Sequence, residues 1–394
     1  MKIADVTTFI VDNPPPHYGG PYWVFVKLTT DSGVVGYGEA YSVPFHPNVV
    51  ARMIEDVAER CVIGHDPFKI ERLWRVVYSG GYTQRAGPAL MGVLSGIEMA
   101  CWDIIGKELD KPVYELLGGQ VHERLRSYTY LYAEEGDTED VYLDPDLAAE
   151  RAAEYADQGF TALKFDPVGR YSAFDPRQLS LEALERTERY VKGIREAVGI
   201  KCDLLLGTHG QMTASGAIRL AKRLEKFDPL WFEEPVPPEN VREMAKVARA
   251  TSIPIATGER LATKYEFATI LVEQAASILQ MALGRVGGIL EAKKIAGMAE
   301  AHYAQIAPHL YCGPIEGAAN IQIDACSPNF LIQESILDWS GFHAEILKEP
   351  ITWEDGYIIP PTGPGLGVAL DEDVAASHPY TGQKLHLEPA EVPP

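Results

Sequence analysis

Several carboxylates, two histidines and a lysine stand where short apolar runs end. The run 230–235 closes on Glu233-Glu234-Pro235, and 253–259 leads into Gly258-Glu259-Arg260. Others close on Lys164-Phe165-Asp166, Gly207-Thr208-His209, Pro308-His309 and Gln333-Glu334, and Gln280-Met281-Ala282 is followed by Arg285. Carboxylates are the oxygen donors that hard divalent cations take, imidazoles exchange protons near neutrality, and Lys and Arg hold anions. Charge at one run end is unremarkable, since such a residue serves equally as a strand cap or ion-pair partner. Recurrence at seven ends is a more specific signal.

Eight β-like runs carry these residues: 127–133, 162–166, 201–207, 230–235, 253–259, 277–282, 305–310 and 330–335. Amphipathic helical patterns lie between them, among them 181–198, 214–227, 239–250, 264–275 and 289–304. Alternation of this kind predicts parallel βαβ units. Eight strands predict a closed α/β barrel, with chemistry at the C-terminal strand ends. The expected organisation is a (β/α)7β barrel over residues 126–350 and an α+β capping domain over 1–125. The cap is read from strands at 2–12, 22–30 and 34–39, a turn at Asp31-Ser32-Gly33, and helical patterns near 48–63, 67–78 and 88–107. Residues 351–394, rich in Pro and Gly, are expected to run back over the cap.

Composition narrows the function classes. The 394 residues carry 35 Lys+Arg against 56 Asp+Glu, a net charge of −21, which argues against nucleic acid or an anionic membrane surface as partner. No charge-free apolar run reaches the roughly 18 residues of a membrane span. The five cysteines (61, 101, 202, 312 and 326) are odd in number and lack CxxC spacing, which suits a reducing compartment. Asp5 and Asp12 interrupt the first strand pattern as no signal peptide would. A cytoplasmic protein is expected. No P-loop, Rossmann fingerprint or nucleophile elbow occurs. Gly284-Arg285-Val286-Gly287-Gly288 reads as a weak anion site at a helix start.

Trp231-Phe232-Glu233-Glu234-Pro235, Thr257-Gly258-Glu259-Arg260, Ala307-Pro308-His309, Pro364-Gly365-Leu366-Gly367-Val368 and the stretch 96–107 resemble the enolase superfamily. Within it the chain is most similar to the mandelate racemase/muconate lactonizing enzyme branch and its galactonate-dehydratase-type sugar-acid dehydratases. The resemblance covers nearly the whole chain. It implies a small-molecule sugar acid as partner, self-association, and a Mg²⁺ ion held by three carboxylates that stabilises an enediolate. Glu233 and Glu259 fall on metal-ligand positions, His309 on the base position and His209 on the general-acid position. Glu334 falls on the position that hydrogen-bonds the enediolate. Lys164 and Arg285, with Tyr18, Tyr22, Tyr82 and Arg85 of the cap, lie where substrate contacts are expected.

Two positions depart from the family pattern. Gly207 replaces the first metal-binding aspartate, and Ala282 replaces the aspartate that partners the base. Asp166 stands at the second lysine of the family's Lys-x-Lys pattern, close enough in strand order to substitute for the ligand lost at Gly207. The expected activity is dehydration of a sugar acid to a 2-keto-3-deoxy acid over a weakened Mg²⁺ site. The alternative is a divergent member that binds a sugar acid or lactone without dehydrating it, or that catalyses a different isomerisation.

Overall fold

A computed structural model describes every residue except 42–43, 83–84, 135, 138–139 and 389–394. Alternating β-branched and aromatic residues form β1 (Ile3–Asp12) and β2 (Tyr22–Thr30), paired antiparallel with Val6 opposite Leu28. Gly33, at φ +87°, turns the chain into β3 (Val35–Glu39), which pairs with β2. The helix Pro88–Glu108 lies on this sheet. It is apolar and long enough to cross a membrane, yet 83% of its apolar window is buried within the protein. Glycine permits its close docking, because a Cβ on Gly38 would stand 1.9 Å from the Gly96 carbonyl oxygen.

The eight β-like runs all become parallel strands: β4 (Leu125–Tyr130), β5 (Ala162–Phe165), β6 (Asp203–Leu206), β7 (Trp231–Glu233), β8 (Ile255–Thr257), β9 (Ile278–Leu279), β10 (Gln305–Ile306) and β11 (Gln333–Ser335). They pair in chain order, and β11 returns to β4. Between β10 and β11 the ladder is a single bridge, Ile306 to Phe330. The paired strands are shorter than the apolar runs, and on β4 to β10 the last residues of the run continue past the ladder towards the rim. Side-chain caps start the intervening helices: Asp144 for Pro145–Asp157, Ser180 for Leu181–Val198, Thr213 for Ala214–Leu224 and Asn240 for Val241–Ala250.

One buried layer fills the barrel interior with a residue from each strand or its edge: Tyr128, Ala162, Leu205, Trp231, Ala256, Ile278, Ala307 and Ile332. Alanines and large side chains share this layer, and Tyr128 meets Trp231 edge to face at 5.2 Å. The layer closes the interior from one end. Because a strand repeats every two residues, the next inward positions are Tyr130, Lys164, Gly207, Glu233, Gln280, His309 and Glu334. On β8 that position is Gly258 at φ +145°, against the Gln280 backbone, and Glu259 follows it.

The hairpin of β12 (Thr352–Glu354) and β13 (Tyr357–Ile359) pairs antiparallel with the start of β4. Beyond it the chain returns to the cap. The Leu366 N–H donates to Asp103, Glu372 takes Lys27 and the Tyr37 hydroxyl, Pro379 bridges Val11, and the His386 ring meets the Gly19 carbonyl. All five cysteines are buried and free of disulfides.

Candidate active site

A cavity of about 280 Å³ opens above the buried layer, at the C-terminal strand ends. Lys164, Asp166, His209, Glu259, Arg285, His309 and Glu334 all line it. Glu233 lies just beneath, fully buried.

Lys164 is the hub of the floor. Its Nζ is 2.7 Å from Glu233 Oε1 and 3.4 Å from Glu334 Oε1, and it stands 5.2 Å from the centre of the Tyr130 ring. Burial disfavours the ammonium, but the attraction of Glu233 and Glu334 outweighs it and raises the Lys164 pKa well above its ordinary value. The other oxygen of Glu233 accepts from Trp231 Nε1 at 3.1 Å and Gln280 Nε2 at 2.7 Å. Burial drives the Glu233 carboxyl upward, and Lys164 opposes it. Glu334 also accepts the Leu310 N–H at 2.7 Å.

The two histidines have opposite surroundings. His209 Nδ1 lies 3.3 Å from Asp166 Oδ1. Burial works against the imidazolium there, yet Asp166 prevails and raises the pKa to about 9. His309 is lowered by burial, only partly offset by Glu334 and Glu259. Its Nε2 is 3.6 Å from Glu259 Oε2, its ring stacks on Tyr41, and its buried Nδ1 has no hydrogen-bond partner among the described residues. At neutral pH one imidazole is therefore charged and the other neutral. Glu259 is held ionised: its burial is overcome by His209, His309, Lys164 and Arg260. Arg285 lies over the Tyr41 ring at 4.4 Å and donates to the Glu259 carbonyl.

These donors do not fit Mg²⁺. Among the described residues no group of three or more His, Cys, Asp and Glu is placed to hold a metal ion. Both oxygens of Glu233 are engaged by protein donors. Asp166 does not substitute for the ligand missing at Gly207, because its carboxylate is turned to His209. A Cβ at Gly207 would stand 2.5 Å from the Tyr130 hydroxyl and 3.3 Å from Lys164 Cε.

None of the four expected cap contacts lines the cavity. Tyr22 is buried against Tyr380 and His386, Tyr82 is 93% exposed, and Arg85 is exposed. Tyr18 donates to the Ala133 carbonyl and likewise does not line it. The cap supplies Tyr41 instead, just past β3. Tyr130, Tyr132, Tyr142, Tyr171, Arg260, Tyr311 and Leu387 also line the cavity without having been expected there. The alternation Ser127-Tyr128-Thr129-Tyr130-Leu131-Tyr132 carried a usable signal, since period two places its three tyrosines on one face.

The glycine-rich turn before Ile289–Ala301 is already capped by a carboxyl group from within the chain. The Glu98 carboxylate accepts the Ile289 and Leu290 N–H groups at 2.7 and 2.9 Å. Glu39 does the same for Pro314–Ala325, through Gly313 and Glu316 at 2.6 and 2.9 Å. Two cap glutamates thus bind two barrel helix N-termini. A cavity of about 440 Å³ at the opposite barrel end has His302 as its one titratable lining residue among those described, and offers no comparable chemistry.

Two sequence families match the chain. The mandelate racemase/muconate lactonizing enzyme N-terminal domain matches residues 18–118, and the enolase C-terminal domain-like family matches residues 147–374. The D-galactonate dehydratase of Ralstonia nicotianae is 38% identical over 381 residues, 94% of this chain and 93% of that protein. A candidate mandelate racemase/muconate lactonizing enzyme from Labrenzia alexandrii superposes with a TM-score of 0.97 at 63% identity, covering 100% of this chain and 99% of that one. A candidate dehydratase from Mesorhizobium loti superposes with a TM-score of 0.87 at 33% identity, covering 97% and 99%.

Proposed function

The chain belongs to the mandelate racemase/muconate lactonizing enzyme family of the enolase superfamily, and from that premise we propose that it is a lyase that dehydrates a small polyhydroxy acid. The observation that carries this reading is the pair His209 and His309, which share one cavity and differ in charge. Environments that push two titratable groups apart assign an acid and a base. Neutral His309 takes the proton from the carbon next to the substrate carboxylate. The His209 imidazolium, kept charged by Asp166, gives its proton to the β-hydroxyl, which leaves as water. The resulting enol becomes a 2-keto-3-deoxy acid. Similarity to the D-galactonate dehydratase supports a sugar acid as substrate class.

A second reading has its own observation. Ala282 offers no carboxylate, and His309 Nδ1 is buried without a partner among the described residues, which weakens the base. In that case the site exchanges the α-proton or binds the acid without expelling water. A panel of aldonates incubated in D2O separates the two, with α-deuteration followed by proton NMR and α-keto acid followed as its semicarbazone. Dehydration requires keto-acid release that is lost in both His309→Asn and His209→Asn. Deuteration without release, lost only in His309→Asn, supports the second reading.

A further inference from the structure

We propose that Lys164 and Tyr130 take the place of the divalent cation in this chain: the ammonium and the phenol together hold the substrate carboxylate, and the site operates without a metal ion. This rests on the reading that a carboxylate-bearing substrate enters the cavity.

Four observations converge on it. First, Lys164 is fully buried, faces the cavity, and lies between Glu233 and Glu334 at 2.7 and 3.4 Å. It puts a positive charge between two carboxylates, as a cation would. An ammonium has three N–H donors. Two are aimed at these glutamates, which leaves one for a ligand oxygen. Second, Tyr130 fills the space that a side chain at position 207 would enter, since a Cβ there would be 2.5 Å from its hydroxyl. Third, Tyr130 lines the cavity, and its buried hydroxyl has no hydrogen-bond partner among the described residues. A buried phenol with nothing to donate to costs stability until an acceptor arrives, and a carboxylate oxygen beside Lys164 is such an acceptor. Fourth, two of the neighbouring carboxylates already face protein groups. Glu233 takes hydrogen bonds from Trp231, Gln280 and Lys164, and Asp166 faces His209. One family position lacks its carboxylate here, and two side chains that bring their own charge and donor border its space.

The test is a Mn²⁺ titration of EDTA-treated protein, read by the electron paramagnetic resonance of the free ion. In the wild type we expect Mn²⁺ to stay free up to about 1 mM, the weak end of protein sites for hard divalent ions. Lys164→Met leaves Glu233 and Glu334 without their counter-charge, and it should bind Mn²⁺ about tenfold tighter or better, the smaller end of the change a metal's supporting residues make. Lys164→Arg keeps a cation in place and should not bind. Stoichiometric micromolar binding by the wild type overturns the proposal. Equal affinities for wild type and a folded Lys164→Met overturn it too. Should Lys164→Met fail to fold, the wild-type titration still decides. Failure of every aldonate to react would sink the functional reading and leave the Mn²⁺ result standing, so the two fail separately.

Discussion

The hydroxyl of Tyr130 and the α-carbon of Gly207 are packed so closely that a Cβ on residue 207 would come within 2.5 Å of the phenol oxygen. A side chain at position 207 and the phenol oxygen of Tyr130 therefore exclude each other. Gly207→Ala is expected to cost about 1–3 kcal/mol by overpacking, measured by urea unfolding. Adding Tyr130→Phe removes the opposing oxygen and should restore most of that loss. Losses that simply add would show that the two positions do not touch.

Protonation of His209 is linked to stability through Asp166. The folded pKa of about 9 lies above the ordinary 6.5, so charged His209 stabilises the fold below pH 6.5. That contribution is lost as pH rises through about 9. Asp166→Asn should therefore destabilise most at pH 6 and least at pH 10, and the His209 proton resonances should titrate at lower pH. A penalty independent of pH would separate Asp166 from His209.

If His309 is the base and His209 the acid, kcat/KM follows a bell with a wide plateau. The acid limb falls below the ordinary imidazole range, because burial lowers His309. The alkaline limb falls near 9, where His209 gives up its proton. In Asp166→Asn only the alkaline limb should move, towards lower pH. An acid limb that shifts with it would mean that the roles are exchanged.

The cap is held to the barrel through Glu98. Burial raises this carboxyl to about 7, against the pull of the Leu290 and Ile289 N–H groups and Trp102. Glu98→Ala leaves two helix N–H groups without an acceptor, and the expected loss is about 1–3 kcal/mol in chemical unfolding. Glu98→Gln still presents an amide oxygen and should lose less. Equal losses would assign the effect to packing.

By itself the sequence determined the ring of strands and which residues stand at its rim. Both follow from local rules, the alternation of β-like runs with amphipathic helices and the two-residue repeat that sends Lys164, Glu233, His309 and Glu334 inward. Partnership was decided by tertiary structure. Lys164 meets Glu233, 69 residues away, only because the strands close on each other, so a position expected beside a metal ion carries its own charge. Asp166 meets His209 for the same reason, although a ligand role was the expectation. The cap shows the limit most plainly. Tyr22 and Tyr82 lie in segments that read as well as any for substrate contact, yet the docking of the cap on the barrel turns Tyr41 into the cavity. That choice depends on Glu39 and Glu98 binding barrel helices far along the chain. Period and propensity act over a few residues, whereas ring closure and domain docking join residues by distances that no local pattern records.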